Sequence, residues 1–127
     1  MKPLTGEWIE KAEDDFAIME RESRVRKHPV YDGVCFHAQQ CSEKYLKARL
    51  CEAGCETGRL HDLVALLEQV LPHEPLWEVF RADLAYLSDF AVAYRYPGES
   101  STPEQSRSAV KRCRRFREAA RLALGLS

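Results

Sequence analysis

The chain has 127 residues, 45% hydrophobic and 31% charged, with a formal net charge of −1. That length carries one packed core rather than two, and the near-zero charge excludes a global field that draws in nucleic acid or an anionic membrane. No apolar run approaches the ~18 residues of a membrane span, and the charged first residues lack the apolar core of a signal peptide. The five cysteines sit mostly within helical patterns, which fits reduced thiols in a cytoplasmic protein.

Helical periodicity runs along the chain and strand-type alternation does not. The first block starts near Thr5, a candidate N-cap, and extends to about Lys27, with Trp8, Ile9, Ala12, Phe16 and Met19 on one face. His28-Pro29 closes it, because the residue before a proline is pushed out of the helical region. The second block covers Tyr31 to Ala53 and stops at Gly54. A short third block, Asp62 to Leu71, ends before Pro72. The fourth opens after Pro75 and runs to about Tyr94, and Pro97-Gly98 begins a loop. The last starts at Pro103, a favourable first-turn proline. This pattern predicts an all-α, up-and-down bundle of about five helices in a single domain, residues 1–127.

Several polar groups stand out against that frame. His37, Gln40, Glu43 and Lys44 recur at three- and four-residue steps, so they share a helix face. Such a strip either receives a nucleotide or a partner's loop, or it divides its work. In the second case His37 and Gln40 bond neighbouring helices while Glu43 and Lys44 project to solvent, the arrangement that polar groups beside a core favour. His61-Asp62 invites a catalytic reading, but Asp62 stands where a carboxylate caps the third helix. Arg95-Tyr96 at a helix end is suited to grip a phosphate and stack a base; Arg95 is equally suited to bond the last carbonyls of its own helix or an acidic residue of the first helix. Cys51, Cys55 and His61 supply three ligands with no second pair at zinc spacing, so no metal site is expected. Cys35, Cys41 and Cys113 read as small core residues.

The two ends carry opposite charge. Thr5 to Glu22 holds seven acidic residues against two basic ones, and Pro103 to Ser127 holds seven basic residues against two acidic ones. The stripe Arg107, Lys111, Arg114, Arg115 and Arg121 on the last helix suits either RNA or DNA phosphates or pairing with the acidic first helix, in the same or another subunit. Pairing is favoured, since no exposed aromatics interleave the stripe.

The run Phe36 to Ala48, with His37, Gln39-Gln40 and Glu43-Lys44, is followed by Arg59-Leu60-His61-Asp62-Leu63 and by Tyr94-Arg95-Tyr96-Pro97-Gly98. Together these resemble the HEPN domain family of small all-helical proteins, and the resemblance covers most of the chain. It implies a homodimer and a separate minimal nucleotidyltransferase as partner in a toxin–antitoxin-type pair, with a nucleotide as possible ligand. Ribonucleases of the family carry Arg, four to six residues, then His on a late helix, where the guanidinium stabilises phosphate charge and the imidazole moves protons. Setting the toxin-branch form Arg-x4-His-x-Tyr with Tyr96 as its last residue puts Tyr94 in the His place and Asp89 in the Arg place. Aspartate repels phosphate, and a phenol of pKa ~10 is a poor base at neutral pH. Arg21 and His28 have the formal spacing but sit at a helix end beside Pro29.

The resulting expectation is a non-enzymatic nucleotide- or partner-binding subunit without cofactor or catalytic residue. Its tentative ligand-binding residues are Arg95, Tyr96, His37, Gln40 and Lys44. The alternatives are an RNA-cleaving toxin with an atypical site and a helical adaptor with no small-molecule site.

Overall fold

A computed structural model describes residues 1–92 and 96–127. Five α-helices follow one another: α1 Pro3–Ser23, α2 Tyr31–Glu52, α3 Leu63–Val70, α4 Arg81–Ser88 and α5 Pro103–Ala123, with a 3₁₀ helix, Pro75–Phe80, leading into α4. The expected all-α bundle is present, and no strand occurs among the described residues.

Helix α1 starts before Thr5, because Pro3 takes the first-turn position where a missing N–H costs nothing. Thr5 is therefore no cap. It lies inside the helix, fully buried, and its hydroxyl donates to Glu52 Oε1 at 2.9 Å. The helix ends at Ser23 rather than near Lys27, closed by the Arg24 N–H on the Arg21 carbonyl. Within the connection that follows, His28 adopts φ 54°, a left-handed conformation uncommon for a residue with a Cβ.

Helix α2 is the axis of the molecule and packs against all four other α-helices. With α1 it forms an antiparallel hairpin tied by one carboxylate at each end. Glu52 accepts the Lys2 N–H at 3.0 Å together with the Thr5 hydroxyl, and Glu22 Oε2 accepts the Val30 N–H at 2.9 Å. Helix α5 runs beside α2 in the same direction: Asp32 takes the Ser101 N–H at 2.7 Å, and Arg121 reaches the Tyr45 hydroxyl at 3.2 Å. Between them the free Cys41 thiol shares a hydrogen bond with the free Cys113 thiol, and burial pushes Cys41 well above an ordinary thiol pKa. Cys35, Cys41 and Cys113 are core residues, as read from sequence.

The connection after α2 doubles back along it, which returns His61 to the level of Glu43. Asp62 then caps α3, its Oδ1 accepting the Val64 and Ala65 N–H groups at 2.9 and 3.1 Å. The fourth block is not one continuous helix as expected. In a 3₁₀ helix side chains three apart eclipse one another, so Trp77 and Phe80 both turn to Phe116 of α5, edge-on at 5.1 and 5.4 Å. Helix α4 stops at Ser88, and Tyr94 lies outside the described residues. Thr102 and Gln105 close a capping box at the start of α5.

Candidate functional site

Helix α2 buries so much of its circumference that its polar groups cannot all reach water, and its buried ones find partners. The first cluster forms around Asp15. This carboxylate lies on the same face of α1 as Ala12 and Met19 and is almost fully buried. It accepts the His37 Nδ1–H at 2.8 Å and a short hydrogen bond from the Lys44 ammonium. The two cation-capable side chains stay at the edge of the surface, 24% and 22% exposed. A carboxylate is acceptor-only when ionised, so the imidazole keeps Nε2 free and the ammonium keeps further N–H groups.

The second cluster surrounds Glu43. Gln39 Nε2 donates to Glu43 Oε1 at 3.1 Å, Lys47 Nζ lies 3.2 Å from Oε2, and His61 Nδ1 lies 3.0 Å from Oε2. Glu43 and Lys47 are both 4% exposed, whereas the His61 side chain is 65% exposed. Gln40 joins this cluster through its Nε2, which donates to Gln39 Oε1 at 2.7 Å. The expectation that Glu43 projects to solvent is overturned: it is buried, and Gln39, Lys47 and His61 supply the donors that compensate its burial. Lys44 likewise turns to Asp15. Lys47 also lies over the Trp8 ring, 5.4 Å from its centroid.

Of the ligand residues inferred from sequence, His37 and Lys44 therefore meet at one carboxylate, and Gln40 belongs to the neighbouring cluster. Tyr96 is exposed. Arg95 lies outside the described residues. Sequence reasoning missed Asp15, Lys47 and the Glu43–His61 pair. A signal was available, since Asp15 and Lys47 are charged residues on otherwise apolar faces, and such positions are occupied only with a partner.

The basic last helix divides into two parts. Arg117 grips Glu13 through two bonds, at 2.6 and 2.7 Å, and Arg114 grips Glu20 in the same way at 2.6 and 2.7 Å. Arg112 and Arg115 both hold the buried Asp83. Burial tends to raise the Glu13 pKa, but bonds from Arg117 and from the Tyr45 hydroxyl at 2.5 Å hold it below the ordinary value. Burial and the same bond push the Tyr45 phenol upward. The bonds from Arg114 likewise depress Glu20. These pairs join α5 to α1 and α4. Arg107 and Lys111 stay outside them.

Cys55 is 3.5 Å from His73 Nε2 and not in a cluster with Cys51 and His61. Among the described residues no group of three or more His, Cys, Asp or Glu side chains is placed to hold a metal ion. No described helix is long and apolar enough to cross a membrane.

A family model described as the HEPN domain matches residues 5–123. Neither the curated proteins nor the solved structures contain a match. The matched span takes in α1 from Thr5, all the other helices, and both the Asp15 and the Glu43 clusters.

Proposed function

The chain belongs to the HEPN domain family, and from that membership we propose that it is a non-catalytic, homodimeric binding subunit. In this reading it acts beside a separate minimal nucleotidyltransferase in a toxin–antitoxin-type pair, and a nucleotide is held in the cleft the two proteins share. The observation that carries this reading is the Asp15 cluster, in which one buried carboxylate fixes both His37 and Lys44 at the surface edge. Donors fixed in advance lose little entropy when they meet a phosphate or a partner's polar loop. Arg95 and Tyr96 contribute the guanidinium and the stacking ring.

Affinity purification of the tagged chain from its source tests the proposal. A nucleotidyltransferase is expected in the eluate, with His37→Ala, Lys44→Ala and Arg95→Ala each reducing its yield. Absence of any such enzyme, together with no nucleotide binding that depends on these residues, rejects the reading.

A second reading, an RNA-cleaving toxin with an atypical site, draws support from the Glu43–His61 pair. The buried carboxylate orients Nδ1–H of an exposed imidazole, which leaves Nε2 for proton transfer. Growth arrest and RNA cleavage on expression, both abolished by His61→Ala, favour it; persistence of both in that variant removes it.

A further inference from the structure

Of the five cysteines, four are buried and Cys55 alone reaches the surface. The end of α2 holds it in place. Gly54 takes φ 82°, the Cys55 N–H bonds to the Leu50 carbonyl, and the Gly54 N–H bonds to the Cys51 carbonyl, both at 2.9 Å. These paired bonds close the helix and fix the backbone just after the glycine. The Cys55 side chain therefore has one station relative to α2, with part of its surface packed on the core.

A second connection brings an imidazole to the same spot. After α3 the His73 N–H bonds to the Val70 carbonyl at 2.8 Å, and the next residue, Glu74, accepts a bond from Arg49 Nε of α2 at 2.8 Å. His73 Nε2 is thereby held 3.5 Å from the Cys55 sulfur. Such a pair is a nucleophile with its own base, because the imidazole takes the thiol proton and the thiolate is the reacting form. Cys55 also lines an open cleft of about 370 Å³, together with Leu4, Trp8, Glu56 and Thr57. Lys2 Nζ stands close by, 3.3 Å from where a Cβ on Gly54 would lie. Room of that size beside the sulfur suits a reagent that leaves a tail behind. A peroxide, which leaves one oxygen atom, has no use for it.

We propose that Cys55 is a modification site at which a small disulfide leaves one of its halves as a reversible mixed disulfide, with His73 as the base. Nε2 takes the thiol proton, and the Cys55 sulfur attacks one sulfur of the incoming disulfide. A new S–S bond forms as the old one breaks, and the departing thiolate takes the proton from the imidazolium. One thiol and one disulfide become one mixed disulfide and one thiol, so no further oxidant enters. The tail lies in the cleft against Leu4 and the Trp8 ring, where Lys2 and Glu56 offer charges of opposite sign. The site uses none of His37, Gln40, Lys44, Arg95 and Tyr96, so it goes beyond the partner-binding reading and can fail without it.

Mass spectrometry on the full chain incubated with glutathione disulfide or with cystamine tests the proposal. A single adduct is expected, at Cys55, and dithiothreitol should release it. His73→Ala and His73→Gln are each expected to slow its formation at least tenfold in the folded chain and to leave the rate in urea unchanged. The His73 side chain is exposed, so an unchanged thermal midpoint verifies that both variants are folded. The faster of the two probes identifies which charge, Lys2 or Glu56, meets the tail. Of the two tryptophans, Trp8 is the one in the cleft, so the adduct should shift the emission and Trp8→Phe should abolish that shift. The proposal is overturned by no adduct on the folded chain, by reaction at another cysteine first, by an internal disulfide in place of the adduct, by undiminished rates in the His73 variants, or by an adduct that leaves Trp8 emission unmoved.

Discussion

Lys47 and Glu43 form an ion pair at 3.2 Å within α2, one helical turn apart, with only 4% of each side chain exposed. Removing one member of a buried pair leaves an uncompensated charge, typically at a cost of about 3–5 kcal/mol. Lys47→Ala is therefore expected to lower unfolding free energy by that amount in urea titrations. Lys47→Met with Glu43→Gln, which removes both charges, should recover most of the loss. Equal destabilisation by the single and double changes would show that packing, not charge, is what the pair supplies.

Asp15 has a similar burial but different neighbours, because His37 and Lys44 retain contact with water. Asp15→Asn keeps the shape and removes the charge, so its stability cost is expected to be smaller, about 1–3 kcal/mol. Its effect on the proposed partner should be large, since His37 and Lys44 lose the group that fixes them. Denaturation and capture experiments on the same variant separate the two effects. Full capture by Asp15→Asn would remove the Asp15 cluster from the binding surface.

Acid should loosen the attachment of α5 to α1. Glu13 and Glu20 both titrate below their ordinary value of 4.5 in the folded chain. A carboxylate with a depressed folded pKa binds more protons when unfolded, so its contribution to stability is complete above about pH 4.5 and fades as pH falls through the folded value. Thermal midpoints measured from pH 6 downward should drop across that window. In Arg117→Ala the part of the drop due to Glu13 should be reduced, because the paired guanidinium bonds that hold Glu13 down are gone.

The cap on α3 offers a smaller and more local test. Asp62→Ala removes the acceptor of two backbone N–H groups and is expected to cost about 1 kcal/mol. Asp62→Asn or Asp62→Ser should lose only a fraction of that. A cost near zero for the alanine change would mean that water takes over both donors.

Helix number, most boundaries and the Asp62 cap were legible in sequence because they depend on local signals: periodicity, proline, glycine and capping residues. The missed features depend on what lies across a helix interface. Thr5 resembles an N-cap until Glu52, 47 residues away, is seen to accept its hydroxyl. The split of the fourth block reflects a tertiary demand, the shared contact of Trp77 and Phe80 with Phe116, which no property of the 75–94 run announces. His37 and Lys44 were identified as a polar face, but their meeting point is on α1. Glu43 reads from sequence as part of a binding strip or as a solvent-facing group, while the returning His61 and the inward Lys47 make its actual surroundings.

The hairpin of α1 and α2 has a carboxylate tie at each end, Glu52 on Lys2 and Thr5, and Glu22 on Val30. Fraying from either terminus of the pair must break a tie before any interior bond is freed. In amide hydrogen exchange this should make the middle of α1 and α2 one slow cooperative unit, with opening free energies close to the global value. The 3₁₀ segment is tied through side chains nearer the surface, Glu74 to Arg49 and Glu78 to Arg81, and Leu76 and Val79 stand exposed on it, so its amides should exchange through cheaper, local openings. The molecule then divides into a persistent two-helix body and a flank that opens separately, and the residues that hold His37 and Lys44 belong to the persistent part.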